Sequence, residues 1–135
     1  MTAAEIAALL ARPLVAIVST TGKDSTPRGT PVWFLTEGSR VFIWTDAGRG
    51  WVRNIARAPQ VAVTVADHEV PFAAVLLHGT AVVQRDRPDA AAIIRRLTAK
   101  YIPEPDVDAY IAQYAALTTI VEVTVASSVG WGRGY

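Results

Sequence analysis

The sequence predicts a mainly β protein, a small closed or nearly closed antiparallel barrel of six strands with flanking helices. Three observations carry this. Short runs of alternating Val, Ile and Thr recur between turns rich in Gly, Asp and Ser, the pattern of half-buried strands joined by hairpins. One apolar run, 72–83, is long enough for a strongly curved strand and holds Gly79 as its bend or bulge. Helical spacing is confined to the start of the chain, the stretch after Gly50 and the stretch before the last strand, so helices can cover a barrel but not form its core. Closure is favoured over an open sheet because it removes exposed strand edges.

Each element has a local cause. Thr2-Ala-Ala-Glu5 has the form of a capping box, and Ile6, Leu9 and Leu10 continue a short helix until Arg12-Pro13. Residues 14–20 form the first strand, and Gly22-Lys23-Asp24 is a turn because Gly tolerates positive φ. The returning strand is 30–36, in which Pro31 cannot donate to a ladder and so marks an edge, bulge or entrance. A turn at 37–40 leads to the third strand, 41–45, completing a meander that sets Trp33 and Trp44 on adjacent strands. Asp46-Ala-Gly-Arg-Gly50 then feeds a helix of about two turns over 51–58, which Pro59 ends. The fourth and fifth strands are 61–66 and 72–83. Pro88 takes an N1-like position before the stripe Ala90, Ile93, Ile94, Leu97 and Tyr101, and Val107, Tyr110, Ile111, Tyr114 and Leu117 form a second helical stripe beyond Pro103 and Pro105. The sixth strand is 119–125. The glycine-rich tail after it needs another surface to hold Trp131 and Tyr135, a second subunit being one candidate.

The 135 residues, 51% hydrophobic and 19% charged, make a single globular domain spanning 1–135. Thirteen basic against twelve acidic residues leave a charge of +1, which steers the molecule to neither nucleic acid nor anionic lipid, so any anion site must be local. There is no cysteine, which removes thiolate metal sites, Cys nucleophiles and disulfide scaffolds together. No apolar run reaches membrane-span length and no signal peptide opens the chain, so the expectation is a soluble, cytoplasmic protein with no membrane partner.

Chemistry has few candidates. His68 lies between Asp67 and Glu69 in a hairpin turn and His78 within a strand, with no nucleophile evident beside either; adjacent residues of an extended chain point to opposite faces, so no metal site is expected. The catalytic residues are unknown at this level. The most informative stretch is Thr45 to Asn54, where a strand end passes through Gly48 and Gly50 into a helix start, bringing free N–H groups and the positive end of the helix dipole together as in backbone phosphate sites. Arg49, Arg53 and Arg57 follow at intervals of four on one face. The competing reading is a solvated basic face. Trp33 and Trp44 either fill a barrel end or wall a flat aromatic ligand.

The order of these elements, with Pro27 through Phe34, Val41 to Thr45, Gly48 to Asn54 followed by Ile55, Pro59 and Val61, and Gly79-Thr80-Ala81, resembles the pyridoxamine 5′-phosphate oxidase-like FMN-binding split β-barrel family. Within it the chain is most similar to the flavin/deazaflavin oxidoreductases that bind coenzyme F420 or FMN. The resemblance implies a homodimer with cofactor clefts at the subunit interface. It sets the ring near Thr30, Pro31, Val32 and Trp33, and the phosphate near Thr45, Gly48, Arg49, Gly50, Arg53 and Asn54. One position departs: many relatives carry a Lys three residues before that Asn, where this chain has Trp51. Either Arg49 and Arg53 replace the cation, or the phosphate contact is weakened and another ligand is used. The function implied is hydride transfer between F420 or FMN and a small conjugated organic substrate. The alternatives are a non-catalytic binder of flavin, haem or another aromatic ligand, with His78 or His68 as haem ligand, and a structural dimer in which Trp51 fills the cleft.

Overall fold

The computed structural model describes residues 1–132. Helix α1 (Ala3–Leu10) starts on the expected capping box: the Thr2 hydroxyl accepts from the Glu5 N–H at 3.1 Å and the Glu5 carboxylate accepts from the Thr2 N–H at 3.3 Å. β1 (Ala16–Thr21) and β2 (Pro27–Val32) form an antiparallel hairpin in register Ala16 with Val32. The positive φ of its turn falls on Ser25 (65°), not on Gly22, because the Asp24 carboxylate accepts from the Thr26 N–H at 3.1 Å and organises the turn around Asp24. Then come β3 (Leu35–Glu37), β4 (Arg40–Thr45), α2 (Gly50–Arg57), β5 (Gln60–Asp67), β6 (Ala73–Gln84), α3 (Ala90–Tyr101), α4 (Glu104–Gln113) and β7 (Thr119–Gly132).

The sheet order is β2-β1-β5-β6-β7-β4-β3, all pairs antiparallel. Mainly β architecture with flanking helices is as expected, but two features differ. Among the described residues there are seven strands rather than six, and the sheet does not close. The expected strand 30–36 is two strands broken at Trp33 and Phe34, and β4 pairs with β7 instead of continuing a meander from β2. The cause lies at Phe34. Its N–H and C=O, which a continuous strand would spend on a neighbour, are taken by Tyr101 and Lys100 of α3. The two unpaired edges, β2 and β3, are therefore consecutive in the chain but not hydrogen-bonded to each other, and Pro31 sits on the edge strand where its missing N–H costs no ladder bond.

The sheet rolls around one apolar cluster to which Val18, Val41, Val63, Val75 and Val123 each contribute from a different strand. Helix α2 packs on β1 and β6 and inserts Trp51, Val52 and Ile55 into that cluster. A second cluster, Phe42, Ile93, Ile94 and Ile120, joins α3 to the outer face of β4 and β7. Pro88 falls one residue before the N-cap Asp89 rather than inside the helix, and the Asp89 carboxylate is engaged by Arg87 instead of capping.

β7 runs well beyond the expected 125, through Trp131 to Gly132, because the twelve-residue β6 gives it a ladder down to the pair Ala73 with Gly132. Trp131 thus lies on a strand within this chain; Tyr135 lies outside the described residues. The bulge between His78 and Gly79 is where the sequence places it, and a Cβ on Gly79 would lie 2.3 Å from the Thr124 carbonyl oxygen, a backbone atom that cannot swing away. Gly79→Ala is expected to destabilise the fold by about 1–3 kcal/mol through overpacking. A lowered urea midpoint with unchanged slope checks this, and an unshifted midpoint rejects it.

Candidate functional site

A cleft of about 380 Å³ opens between the edge strand β2 and the end of β4. Period-two alternation gives β2 an inner face of Arg28, Thr30 and Val32, opposite the buried Thr20, Val18 and Ala16 of β1. Arg28, Thr30, Pro31, Val32 and Trp33 form one wall; Trp44 and Thr45 of β4, with Tyr110 of α4 and Tyr114 at its C-cap, form another; Arg49 and Trp51 come from the start of α2. Beside it lies a hollow of about 370 Å³ lined by Lys23, Arg28, Gly50, Arg53, Asn54 and Arg57, with no carboxylate among them. Arg28 lines both.

The aromatic wall is held by defined contacts. Trp33 stacks on Tyr101 with centroids 4.5 Å apart and planes 2° from parallel, and lies 5.7 Å from the Tyr110 ring. Trp44 meets Tyr110 and Tyr114 edge-on, both at 6.5 Å, and its indole N–H donates to the Leu117 carbonyl at 2.7 Å. The Tyr101 hydroxyl donates to the Leu14 carbonyl at 2.8 Å and accepts from the Phe34 N–H at 3.2 Å. Burial pushes the Tyr101 phenol above its usual pKa, as it does for Tyr110, where the neighbouring Tyr114 adds to the effect. Both stay protonated at neutral pH. Lys100 donates to the carbonyls of Leu10 and Phe34, each at 2.9 Å, and burial lowers its pKa to about 8.

The basic side is built on α2. Arg49 is the N-cap, without a side-chain cap bond. The Asp46 carboxylate accepts from the Gly48 N–H at 2.9 Å, so that donor is spent inside the loop, and Gly48 lines neither cavity. Asn54 is 6% exposed; it donates to the Thr20 hydroxyl at 3.2 Å and accepts from Arg57, which ties α2 to β1 and turns Arg57 toward the hollow. The guanidinium groups of Arg28, Arg49 and Arg53 make no hydrogen bond or ion pair among the described residues.

Of the residues the sequence singles out, Thr30, Pro31, Val32, Trp33, Thr45, Arg49 and Trp51 meet in the cleft, and Gly50, Arg53 and Asn54 line the hollow. The expected common arginine face is divided, Arg49 to the cleft and Arg53 and Arg57 to the hollow. Trp51 does not fill the cleft; it is 2% exposed and belongs to the core, presenting only an edge of its surface as floor. Neither histidine lines the cleft: His68 is exposed in the β5–β6 connection and His78 on the outer face of β6. Sequence reasoning missed Arg28, Tyr110 and Tyr114 as wall residues. Arg28 had a usable signal, since it stands two residues before Thr30 on the same strand.

The split antiparallel sheet thus carries an aromatic cleft with a basic hollow beside it. The chain belongs to the pyridoxamine 5′-phosphate oxidase family, whose model matches residues 2–131. Among solved structures it is similar to an F420 reductase, with 27% identity over 90% of this chain and 94% of that one and a TM-score of 0.71. It is also similar in fold to the conserved hypothetical protein Rv2991 of Mycobacterium tuberculosis (18% identity, 98% and 85% coverage, TM-score 0.81) and to an FAD-binding protein of Mesorhizobium loti (12% identity, 100% and 96% coverage, TM-score 0.76). No curated protein matches the chain. Among the described residues, no helix is long and apolar enough to cross a membrane.

The Lys100 anchor makes stability pH-dependent. Its folded pKa of about 8 lies below the roughly 10.4 of an unfolded lysine, so between those values the unfolded chain holds the extra proton and stability rises with pH. The neutral amine retains two N–H donors for the two carbonyls. Urea midpoints are expected to climb from pH 8 towards pH 10, and Lys100→Met is expected to lose that slope; equal slopes in both proteins reject the assignment.

Proposed function

We propose that the protein is a cytoplasmic oxidoreductase that binds F420 in this cleft and transfers hydride between the deazaflavin ring and a small conjugated organic substrate. The observation that carries the reading is an aromatic cleft opening beside a hollow lined by four cations and no carboxylate. Unpaired guanidinium groups gathered at a helix N-terminus repel one another and the helix dipole, an arrangement that an anion reverses. The cofactor supplies the hydride chemistry when bound.

The chain's own residues bind and orient. Arg49 and Arg53 hold the phosphate, the backbone of Thr30 to Val32 meets the polar edge of the ring, and Asn54 fixes the pitch of α2. Trp33, Trp44 and Tyr110 exclude water from one side and offer a flat face to a planar substrate. Tyr110, whose phenol burial keeps protonated at neutral pH, is a proton-bearing group on that wall, and the remaining proton traffic goes through solvent.

Two considerations favour F420 over FMN, which is the alternative cofactor. Lys23, Arg28, Arg53 and Arg57 exceed what one phosphate monoester requires and suit a ligand whose phosphate is extended by a polyglutamate tail. The solved structure named as an F420 reductase shares more of this sequence than do the other two compared above. A homodimer is part of the same proposal. Across β2, β1, β5, β6 and β7 the outer-face row Pro31, Ile17, Thr64, Leu76 and Val129 carries no ionisable side chain, and Ile17 and Val129 are exposed on it.

Replacing Arg49 and Arg53 together by Ala is expected to weaken F420 binding by tenfold or more, about 1.5 kcal/mol or above for charge-assisted phosphate contacts. Fluorescence titration measures it, and an unchanged dissociation constant overturns the assignment. F420 is expected to bind more tightly than FMN; the reverse order reassigns the cofactor.

A further inference from the structure

A larger cavity of about 760 Å³ lies under α1 and shares no lining residue with the aromatic cleft or the basic hollow. Val41 and Leu77 of the main core are buried at its base, while Val125 of β7 and Ile6 of α1 are only partly buried beside it. Ala3, Ala7 and Ala11 recur at intervals of four and line the space, whereas Ala4 and Ala8 do not. Their single methyl groups leave the room that longer side chains on that face would take up. The helix is tied down at its C-terminal end, where Lys100 holds the Leu10 carbonyl at 2.9 Å and Arg12 pairs with Asp67 at 2.7 Å. Its N-terminal end leans on Gly130 of β7, where a Cβ would come within 3.1 Å of Met1 Cβ and 3.3 Å of Ile6 Cγ1. Supported at both ends, α1 roofs the cavity instead of collapsing into it.

The polar edge of this space is made of hydroxyls. Thr36, Ser39 and Ser128 line it, and their hydroxyl groups make no hydrogen bond among the described residues. No carboxylate lines it, and its one guanidinium, that of Arg40, is turned to Glu122 at 3.4 Å on the outer face of β4. We propose that the cavity binds a neutral, largely apolar small molecule bearing an alcohol or carbonyl oxygen, with its hydrocarbon body between the alanine face of α1 and Val125 and its oxygen at the three hydroxyls. An apolar space with a few convergent polar groups is the usual form of a small-molecule site, and the volume is in the range of such sites. A hydrocarbon body removes the partly exposed surface of Ile6, Val125 and the alanines from water. A hydroxyl donates to a carbonyl and either donates to or accepts from an alcohol, so the edge suits both oxygens. These hydroxyls offer an ion no counter-charge, and a charged head group drawn in forfeits its hydration without an ionic partner. The site is separate from the proposed cofactor site and stands or falls without it.

Straight-chain alcohols are the probes. Calorimetric titration of the full chain is expected to give one saturable site for 1-octanol and for 1-decanol, with the two added methylenes raising affinity about tenfold. Sodium decanoate and decylamine are expected to bind more weakly than 1-decanol by about tenfold or more. Ala7→Phe, which fills the space from α1, is expected to abolish the 1-decanol site, and Ala8→Phe, off the cavity on the same helix, to leave it intact. Thr36→Val combined with Ser39→Ala removes two of the hydroxyls without touching the helix and is expected to weaken 1-decanol about fivefold. Circular dichroism checks that each variant is folded, and if Ala7→Phe is not, the hydroxyl variant decides. No saturable binding to the wild type, equal binding by Ala7→Phe and wild type, tighter binding of decanoate or decylamine than of 1-decanol, or an unchanged 1-decanol affinity in the hydroxyl variant overturns the site.

Discussion

The backbone of Phe34 decides the architecture. This residue is fully buried, and its N–H and C=O must find partners within the protein. Those partners are side chains of α3: the Tyr101 hydroxyl on the N–H, and the Lys100 ammonium on the carbonyl, with the same Lys100 also holding the Leu10 carbonyl at the end of α1. A strand that gives its groups away at this point cannot continue the ladder, so β2 and β3 part and the rolled sheet stays split. The cleft flanks that break. Tyr101 stacks on Trp33 while its hydroxyl holds Phe34, so a single side chain both stops the strand and sets one aromatic plane of the site.

The second half of the site depends on how α2 is seated. Trp51, Val52 and Ile55 enter the core, and Asn54 reaches Thr20 on β1. With three buried apolar side chains and one buried hydrogen bond fixing it, the helix presents its N-terminus to the split, and the arginines emerge to either side. No carboxylate among the described residues answers Arg28, Arg49 or Arg53. Unpaired guanidinium groups near a helix N-terminus make the fold less stable than paired ones would.

Much of the fold was legible. Capping at Thr2, the bulge at Gly79 and the valine alternation of β5 all depend on near neighbours or on the period-two rule, and they appear where the sequence puts them. The stretch 30–36 has the pattern of one strand because its alternation of Val32, Trp33, Phe34 and Leu35 is intact; nothing local reports that residues 100 and 101 claim its backbone. The extension of β7 beyond 125 is invisible locally for the converse reason. Glycines at 130 and 132 weaken a strand by propensity, but a long partner already in place in β6 supplies the ladder and outweighs them.

The candidate site divides along the same line. The sequence by itself determined its chemical materials: an edge strand with Pro31, a glycine-flanked helix start with arginines at intervals of four, tryptophans on two strands and no cysteine, so that redox chemistry requires a borrowed cofactor. Only the tertiary structure decided which of these meet. It sent Arg49 to one cavity and Arg53 to another, buried Trp51, spent the Gly48 N–H on Asp46, and brought Arg28, Tyr110 and Tyr114 to the walls. Residue type and spacing are set by local bonding, whereas the pairing of β2 with α2 across a split sheet follows from burial of the whole core, to which distant residues such as Lys100 and Tyr101 contribute the deciding hydrogen bonds.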